Sequence, residues 1–215
     1  MSTAMLHCNQ IGGEVEVNDT KAKASIPTAA FYNNNPAKNY LFDGEILKLI
    51  QLKDEQCKIP DNLFIRPLHI DDRNKGYLEL LKQLTVVGQV SEVDFVERFY
   101  AMSRSDPTSY YVIVIEDTET KCVVGTITLV IELKFIHSAG IRGRVEDLVV
   151  DSSLRGKHLG KILSMYVVEL ARLLGVYKLS LECKDSLIKY YQKFGYIKDP
   201  GNNFMLQRFD GVSLQ

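Results

Sequence analysis

Residues 145–160 read VEDLVVDSSLRGKHLG, and this segment indicates the architecture of the chain more clearly than any other. Its apolar first part predicts a strand that ends at Val150, and a helical pattern runs from residue 159 to residue 174. One stripe of this helix is apolar throughout: Leu159, Leu163, Val167, Leu170 and Leu174. A strand that enters a helix through a glycine-containing turn presents unpaired backbone N–H groups and the positive end of the helix dipole to an anion. The segment therefore predicts a strand–loop–helix unit with an anion site.

The loop in this unit, residues 155–160, has features of a diphosphate site. Gly156 and Gly160 allow a close approach of the backbone, and Arg155 and Lys157 supply positive charge. Two nucleotide signatures fit only in part. GxxxxGK[ST] lacks one residue between its glycines here, and GxGxxG is interrupted by a lysine and a histidine. The alternative interpretation is a connection that uses glycine only for turn geometry.

The other elements are predicted from apolar periodicity and turn residues. Strands are expected at residues 63–68, 110–115, 123–133, 144–150, 178–183 and 205–209, with a hairpin connection at 116–120. Helices are expected at 41–47, after Asp71 and Asp72 as caps, from Ser91 to Asp106, at 159–174 and at 186–194. This order predicts an α/β (α+β) single domain at residues 39–215. Residues 1–38 are poor in apolar side chains and are expected to form a flexible tail.

Composition limits the function further. The 215-residue chain is 46% hydrophobic and 25% charged, with a formal net charge of −1, so no general field draws it to nucleic acid or an anionic membrane. Its four cysteines lie far apart and its histidines lack metal-like spacing, so no metal is predicted and a reducing compartment is expected. No run approaches about 18 apolar residues, and no signal-peptide pattern is present. We therefore expect a cytoplasmic protein in which a local site holds any anionic ligand.

The 155–160 loop resembles the acetyl-CoA pyrophosphate loop of the GNAT N-acetyltransferase superfamily, Q/R-x-x-G-x-G/A, with His158 at the middle glycine position. Further segments resemble one family within it, the eukaryotic glucosamine 6-phosphate N-acetyltransferases. They are KFIH at 134–137, GRVED at 143–147, GVYK at 175–178, LEC at 181–183 and YYQKFGY at 190–196. The similarity runs from about Leu63 to Phe209. It implies a GNAT-type domain with a central mixed twisted sheet flanked by helices.

The resemblance also implies a reaction, its reactants and their binding residues. The acetyl group of acetyl-CoA passes to the amine of D-glucosamine 6-phosphate, a step toward UDP-N-acetylglucosamine, in homodimers whose C-terminal elements help to build shared active sites. The positions that match family contacts to acetyl-CoA are Leu148, Val149, Val150, Arg155, Gly156, Lys157, His158, Leu159, Gly160, Lys161 and Glu182. Those that match contacts to the sugar phosphate are Thr85, Lys134, Phe135, Ile136, His137, Glu146, Asp147, Leu148, Tyr177, Lys178 and Arg208.

Three side chains match catalytic positions: Glu146, Glu182 and Tyr191. Glu146 and Asp147 are adjacent in an apolar strand, where period-two alternation would place them on opposite faces. Glu182 also falls in a predicted apolar strand, where burial would raise the pKa of its carboxyl and suit it to act as a base. The base stays open among Glu146, Glu182 and a water relay. Tyr191 matches the acid that protonates the thiolate, whereas Tyr190 is expected to pack in the core.

One departure and two alternatives remain. Leu187 occupies a position where the family usually has an asparagine beside the cofactor arm. The chain could be a GNAT enzyme for another amine, such as a different amino sugar or a polyamine, or a catalytically weak acetyl-CoA-binding regulatory module. The joint presence of the basic sugar-phosphate positions argues against another amine, and the acidic and tyrosine positions argue against a pure binder.

Overall fold

The computed structural model describes residues 39–52, 58–105 and 107–207, so the tail predicted at 1–38 lies outside the described residues. Five strands occur in this part of the chain: β1 Leu63–Pro67, β2 Tyr110–Asp117, β3 Val123–Leu133, β4 Ile141–Val150 and β5 Val176–Leu181. The α-helices are α1 Glu45–Lys48, α2 Tyr77–Lys82, α3 Glu92–Ser103, α4 Ile136–Ala139, α5 Leu159–Leu173 and α6 Ile188–Gln192. Short 3₁₀ helices at Ile70–Lys75, Ser152–Leu154 and Asp185–Leu187 precede α2, α5 and α6.

The strands form one sheet in the order β1-β2-β3-β4-β5. The pairs β1–β2, β2–β3 and β3–β4 are antiparallel, and the pair β4–β5 is parallel. A parallel neighbour requires a crossover connection, and α5 provides it. The mixed sheet flanked by helices is therefore confirmed. Pro67, which has no N–H for a ladder, ends β1 at the edge of the sheet.

Helix α5 packs on the sheet over β3, β4 and β5. Its predicted apolar stripe is confirmed, since every member is buried: Leu159, Leu163, Val167, Leu170 and Leu174. Full burial of one such side chain contributes about 1.5–3 kcal/mol of transfer free energy, so the stripe fixes the helix on the sheet. Gly175 follows at a φ of 69°, a left-handed conformation that ends the helix before β5.

A buried ion-pair cluster lies at the β1 edge. The Arg66 guanidinium donates two hydrogen bonds of 2.7 Å to the fully buried carboxylate of Asp72 and a third of 2.7 Å to Glu116 on β2. Asp72 also accepts the backbone N–H of His69, so it caps the 3₁₀ helix that leads into α2. Ser91 is confirmed as the N-cap of α3. These contacts fix the segment that carries α2 against the sheet.

Three predicted elements differ from the structure. β5 ends at Leu181, so Glu182 and Cys183 follow the strand instead of lying in it. Residues 205–207 form no strand and are exposed, because they bury no apolar surface against the sheet, and residues 208 and 209 lie outside the described part. The helix expected at 186–194 is a 3₁₀ turn followed by the shorter α6.

Candidate active site

The C-terminal end of β4 is open on its β5 side. Pairing between the two strands runs from Ile141–Val176 to Val145–Leu181 and goes no further. On its other side, β4 stays paired with β3 as far as Val150. The backbone of residues 146–150 therefore borders a cleft in which alternate N–H and C=O groups are left for a ligand.

A β-bulge in β4 lies beside this cleft. The register with β3 shifts between Thr126 and Thr128, so Asp147 and Leu148 together occupy one partner position. Asp147 adopts a left-handed conformation, with a φ of 53°. Because the strand is irregular here, the expected alternation of Glu146 and Asp147 onto opposite faces does not apply.

The 155–160 loop lies at the N-terminus of α5, as the sequence predicts. Gly156 and His158 have φ angles of 84° and 58°, both left-handed. His158 is the N-cap residue, but its side chain makes no capping hydrogen bond, so the N–H groups of Leu159 and Gly160 are left for another acceptor. Arg155 and Lys157 are exposed beside them. Free donors, the helix dipole and two cations together fit a diphosphate.

Gly160 lies at a close contact between α5 and α6. A Cβ atom at this position would lie 3.1 Å from the hydroxyl oxygen of Tyr190. The same hydroxyl lies 3.4 Å from Ser164 Oγ, which donates to the carbonyl of Gly160. Tyr190 therefore fills the space between the two helices, which agrees with its predicted packing role.

Two carboxyl groups of β4 have raised pKa values. Burial is the largest cause for Glu146, whose pKa is raised further by the charges of Asp147 and Glu182 and lowered by that of Arg144. Arg144 Nε lies 2.8 Å from Glu146 Oε1. Loss of surrounding water also raises the pKa of Asp147. Glu146 thus has the environment of a base that sits close to two other carboxylates.

The position of Glu182 corrects one expectation. Its side chain is exposed, so the predicted burial of this carboxylate is wrong. The reason is that β5 ends at Leu181 and Glu182 lies beyond the strand, at the open end of the cleft. The argument that Glu182 is the base depended on its burial and therefore no longer holds. The environment of Glu146 still supports Glu146 as the base.

Tyr191 is half-buried near the same end of the cleft. Burial raises the pKa of its phenol to about 12, with smaller contributions from Tyr190 and Cys183. Its ring centroid lies 5.1 Å from that of Tyr190 and 5.9 Å from that of Tyr196. The phenol is therefore protonated at neutral pH, which is the state that an acid or a hydrogen-bond donor needs.

The turn between β3 and β4 brings two predicted sugar-phosphate residues together. His137 and the next two residues have positive φ angles of 54–56°, and the N–H of Lys134 donates to the carbonyl of Gly140 at 3.0 Å. The ring of His137 lies 4.3 Å from that of Tyr177. A Cβ atom at Gly140 would lie 2.8 Å from the carbonyl oxygen of His137 and 2.9 Å from the ring of Tyr177. Glycine is therefore required for this contact.

Basic side chains lie next to this turn. Lys134 Nζ is 2.5 Å from a carboxylate oxygen of Glu132, which also lies 4.0 Å from Arg142. Lys178 is opposite Arg142 in the β4–β5 register, and Arg142 donates to Ser180 at 3.3 Å. An anion that binds here meets three cations and competes with one internal carboxylate.

The other predicted sugar-phosphate positions are not drawn into this group. Phe135 and Ile136 are exposed at the turn, and Thr85 is exposed after α2. Arg208 lies outside the described residues.

Sequence reasoning missed Glu132 and Gln83. Glu132 is a charge between Ile131 and Leu133 in an apolar strand, and this signal could have identified it. Gln83 donates to Asp151 and accepts from Ser152, but nothing in the sequence marks a polar residue at a helix end as unusual.

Neither a metal-ligand cluster nor a membrane-spanning helix is found in the described ranges. No group of three or more His, Cys, Asp or Glu side chains in them could hold a metal ion. None of the helices in those ranges is long and apolar enough to cross a membrane.

Comparison with known proteins gives a consistent result. The family model described as "Acetyltransferase (GNAT) family" matches residues 73–196. A Drosophila melanogaster protein named "Probable glucosamine 6-phosphate N-acetyltransferase" is 50% identical over 147 residues, which are 68% of this chain and 66% of that protein. The Arabidopsis thaliana "Glucosamine 6-phosphate N-acetyltransferase" is 39% identical over 131 residues, 61% of this chain and 87% of the plant protein. A crystal structure of glucosamine-6-phosphate N-acetyltransferase from Arabidopsis thaliana superposes with a TM-score of 0.65 at 36% identity, covering 70% of this chain and all of that one.

Proposed function

Because the chain belongs to the GNAT acetyltransferase family, and within it to the glucosamine 6-phosphate N-acetyltransferases, we propose that it transfers the acetyl group of acetyl-CoA to the amine of D-glucosamine 6-phosphate. The products are CoA and N-acetyl-D-glucosamine 6-phosphate. The observation that carries the proposal is the arrangement around one cleft. A diphosphate-type loop flanks the open end of β4, carboxylates line that end, and cations lie toward the start of β4.

The donor side of the cleft suits acetyl-CoA. The N–H groups at the start of α5, with Arg155 and Lys157, are suited to hold the pyrophosphate. A groove between α5 and α6 continues from the loop, and His158, Lys161 and Lys193 line it, so a long anionic ligand can extend along it. The backbone of residues 148–150 is suited to pair with the pantetheine arm, because this edge of β4 is not used by β5.

The acceptor side suits an amino-sugar phosphate. We assign the amine to the carboxylates of Glu146 and Asp147 and the phosphate to the basic group around Lys134 and Lys178. Glu146 takes a proton from the ammonium group, directly or through a water, because its raised pKa makes it a better base than an ordinary carboxylate. The freed amine then attacks the thioester carbonyl.

Two further groups complete the proposed reaction. A backbone N–H at the open end of β4, beside Leu148 or Val149, stabilises the oxyanion of the tetrahedral intermediate. When that intermediate collapses, the C–S bond breaks and the phenol of Tyr191 donates its proton to the leaving thiolate. Glu146 thus gains the first amine proton and later releases it to solvent, and the second amine proton returns to the Tyr191 phenolate, so the products are the amide, the CoA thiol and one proton.

Several finer statements are proposals as well. We propose a homodimer in which the segment around Arg208 reaches the sugar-phosphate site of the partner. We also propose that the enzyme works in the cytoplasm on the route to UDP-N-acetylglucosamine and needs no metal, nucleic acid or membrane. A preference for another amine or a regulatory binding role is the alternative, for which the changes at His158 and Leu187 are the only motivation.

A CoA-release assay tests the proposed function. The purified full chain is incubated with acetyl-CoA and glucosamine 6-phosphate, glucosamine or spermidine, and free thiol is measured. We expect release with glucosamine 6-phosphate at a kcat/KM at least about a hundredfold above that for glucosamine, because the phosphate contributes charge-assisted hydrogen bonds. Release of CoA with spermidine but not with the sugar phosphate would overturn the assignment of glucosamine 6-phosphate as the acceptor. Binding of acetyl-CoA without release from any amine would favour the regulatory binder.

A further inference from the structure

The side chain of Gln83 joins the C-terminal end of α2 to the turn that follows β4. Its Nε2 donates to Asp151 Oδ2 at 2.9 Å, and its Oε1 accepts the backbone N–H of Ser152 at 2.9 Å. Both ends of one amide are therefore used on a single turn that lies 68 and 69 residues further along the chain. Such a two-point contact fixes orientation as well as distance.

The turn that Gln83 holds leads directly into the 155–160 loop. The carbonyl of Ser152, whose N–H is held by Gln83, accepts the N–H of Arg155 at 3.4 Å, and the next bond runs from Lys157 to Leu154 at 3.4 Å. Asp151 is linked to the same loop by charge. The pKa of its carboxyl is lowered by the hydroxyl of Ser153, then by Gln83, and also by the cation of Arg155.

The other end of the contact is the last turn of α2. The N–H of Gln83 donates to Leu80 at 3.0 Å, and Leu80 is fully packed in the core. The N–H of Thr85 donates to Leu81 at 3.1 Å, so Thr85 belongs to the same rigid turn. Thr85 follows α2 and is the position that the family resemblance matches to a sugar-phosphate contact, so this step rests on the proposed function.

We propose that Gln83 is a positioning residue that holds the 155–160 loop in its acetyl-CoA-binding geometry and couples it to the acceptor-contacting end of α2. Acceptor bound at Thr85 reduces the mobility of the C-terminal end of α2. Through the hydrogen bond from Ser152 to Gln83, the 155–160 loop is then also held in place, and it binds CoA more tightly. By linkage, CoA strengthens acceptor binding by the same factor. The proposal gives Gln83 no contact of its own with either reactant, because both ends of its amide are used within the protein.

The first test measures CoA binding by calorimetry, with CoA as the probe and no sugar phosphate. We expect Gln83→Ala to raise the Kd about three- to tenfold, because two hydrogen bonds that order the loop are lost. Lys82→Ala is the matched control, since Lys82 lies on the same helix and pairs only with Glu79 on the solvent side. An unchanged Kd in Gln83→Ala, with thermal unfolding shifted as in the control, overturns the proposal.

A substitution pair guards against a general loss of folding. Gln83→Glu alone sets two carboxylates against each other and should weaken CoA binding more than Gln83→Ala. Combined with Asp151→Asn, the introduced carboxylate still accepts from the N–H of Ser152 and also accepts from the introduced amide, so both hydrogen bonds return and only the one between positions 83 and 151 has its donor and acceptor exchanged. We expect a Kd within about twofold of the unmodified protein. A pair that binds CoA no better than Gln83→Glu overturns the proposal.

The second test reads the coupling. The Kd of CoA is measured with and without saturating glucosamine 6-phosphate, a combination that cannot turn over. We expect the sugar phosphate to tighten CoA binding a few-fold in the unmodified protein and not at all in Gln83→Ala, while kcat at saturation changes less than about twofold. Equal tightening in both proteins overturns the coupling. If the chain binds CoA but acetylates no sugar phosphate, the proposed function is wrong. The measurement of CoA binding in Gln83→Ala still decides the role of Gln83 in that case.

Discussion

Two adjacent tyrosines on α6 have different surroundings, and the difference allows a test of the proposed acid. Tyr190 faces Ser164 and Gly160 between the helices, whereas Tyr191 lies toward Cys183 at the cleft. We expect Tyr191→Phe to lower kcat about a hundredfold, the usual range for loss of a general acid, while the Kd of CoA changes less than about twofold. Tyr190→Phe is the control and should keep most of its turnover. Equal kcat values for Tyr191→Phe and the unmodified protein would remove Tyr191 from this role.

The ion pair of Arg144 with Glu146 gives the pH dependence a predictable sign. Arg144 lowers the pKa of Glu146 against the raising effects of burial, Asp147 and Glu182. Replacing Arg144 with methionine removes that lowering, so Glu146 stays protonated up to a higher pH. The acid limb of the kcat/KM profile should therefore move to higher pH, with the larger loss of activity below neutrality. The measurement is kcat/KM for glucosamine 6-phosphate across the pH range.

Arg142→Met is the matched control for that profile. Arg142 lies two residues before Arg144 on the same strand but contacts Ser180 and Glu132 instead of Glu146. Its loss should weaken the basic group and raise KM without moving the acid limb. An Arg144→Met profile that superposes on the unmodified one would show that Glu146 is not the group that titrates.

At the residue scale, the sequence was sufficient to identify candidate functional residues but not to predict their burial or their contacts. Adjacent carboxylates in an apolar strand suggested chemistry, and Glu146 has the raised pKa of a base. The exposure of Glu182 could not be foreseen, because it depends on where β5 stops pairing with β4. The role of Gln83 was equally hidden, since its partners are 68 residues away and no local pattern announces them.

At the element scale, regular periodicity was informative and irregularity was not. The α5 stripe and the Ser91 cap follow from side-chain spacing and were predicted. The bulge at Asp147 breaks the two-residue period that the prediction used, and an aspartate at positive φ has no distinct sequence signature. The bulge therefore lies beside the cleft, in the part of β4 where pairing with β5 has already ended.

His158 gives a stability prediction for the 155–160 loop. It occupies a left-handed conformation at a φ of 58° and makes no capping hydrogen bond in return. Glycine adopts this conformation without strain, although it also gains entropy in the unfolded chain. We expect His158→Gly to raise the free energy of unfolding by about 0.5–1 kcal/mol, measured by urea titration. Lys157→Gly, at a position without positive φ, should lower it, and a less stable His158→Gly protein would contradict the strain argument.

At the scale of the whole molecule, the order of strands and helices predicted an α/β (α+β) domain, and the mixed sheet was implied by the family resemblance and is confirmed. The end of the chain could not be predicted in this way, because a strand exists only where a neighbour pairs with it. Residues 205–207 were expected in a strand, yet Met205 and Leu206 are exposed and unpaired in the single chain. A large exposed apolar segment of this kind suggests a surface that is covered in the assembly.

The proposed homodimer predicts what covers that segment. Phe204, Met205 and Leu206 are 64%, 90% and 60% exposed, so a second copy that buries them gains apolar contact. We expect the full chain to sediment at twice its mass of 24.4 kDa. Met205→Glu with Leu206→Glu would place two charges in the interface and weaken self-association at least about tenfold. The same change should raise KM for the sugar phosphate, since Arg208 lies two residues after Leu206. Val93→Glu, on an exposed apolar position of α3, is the control and should leave the dimer intact. A full chain that sediments as a monomer, or a double variant that stays dimeric, would rule out this interface.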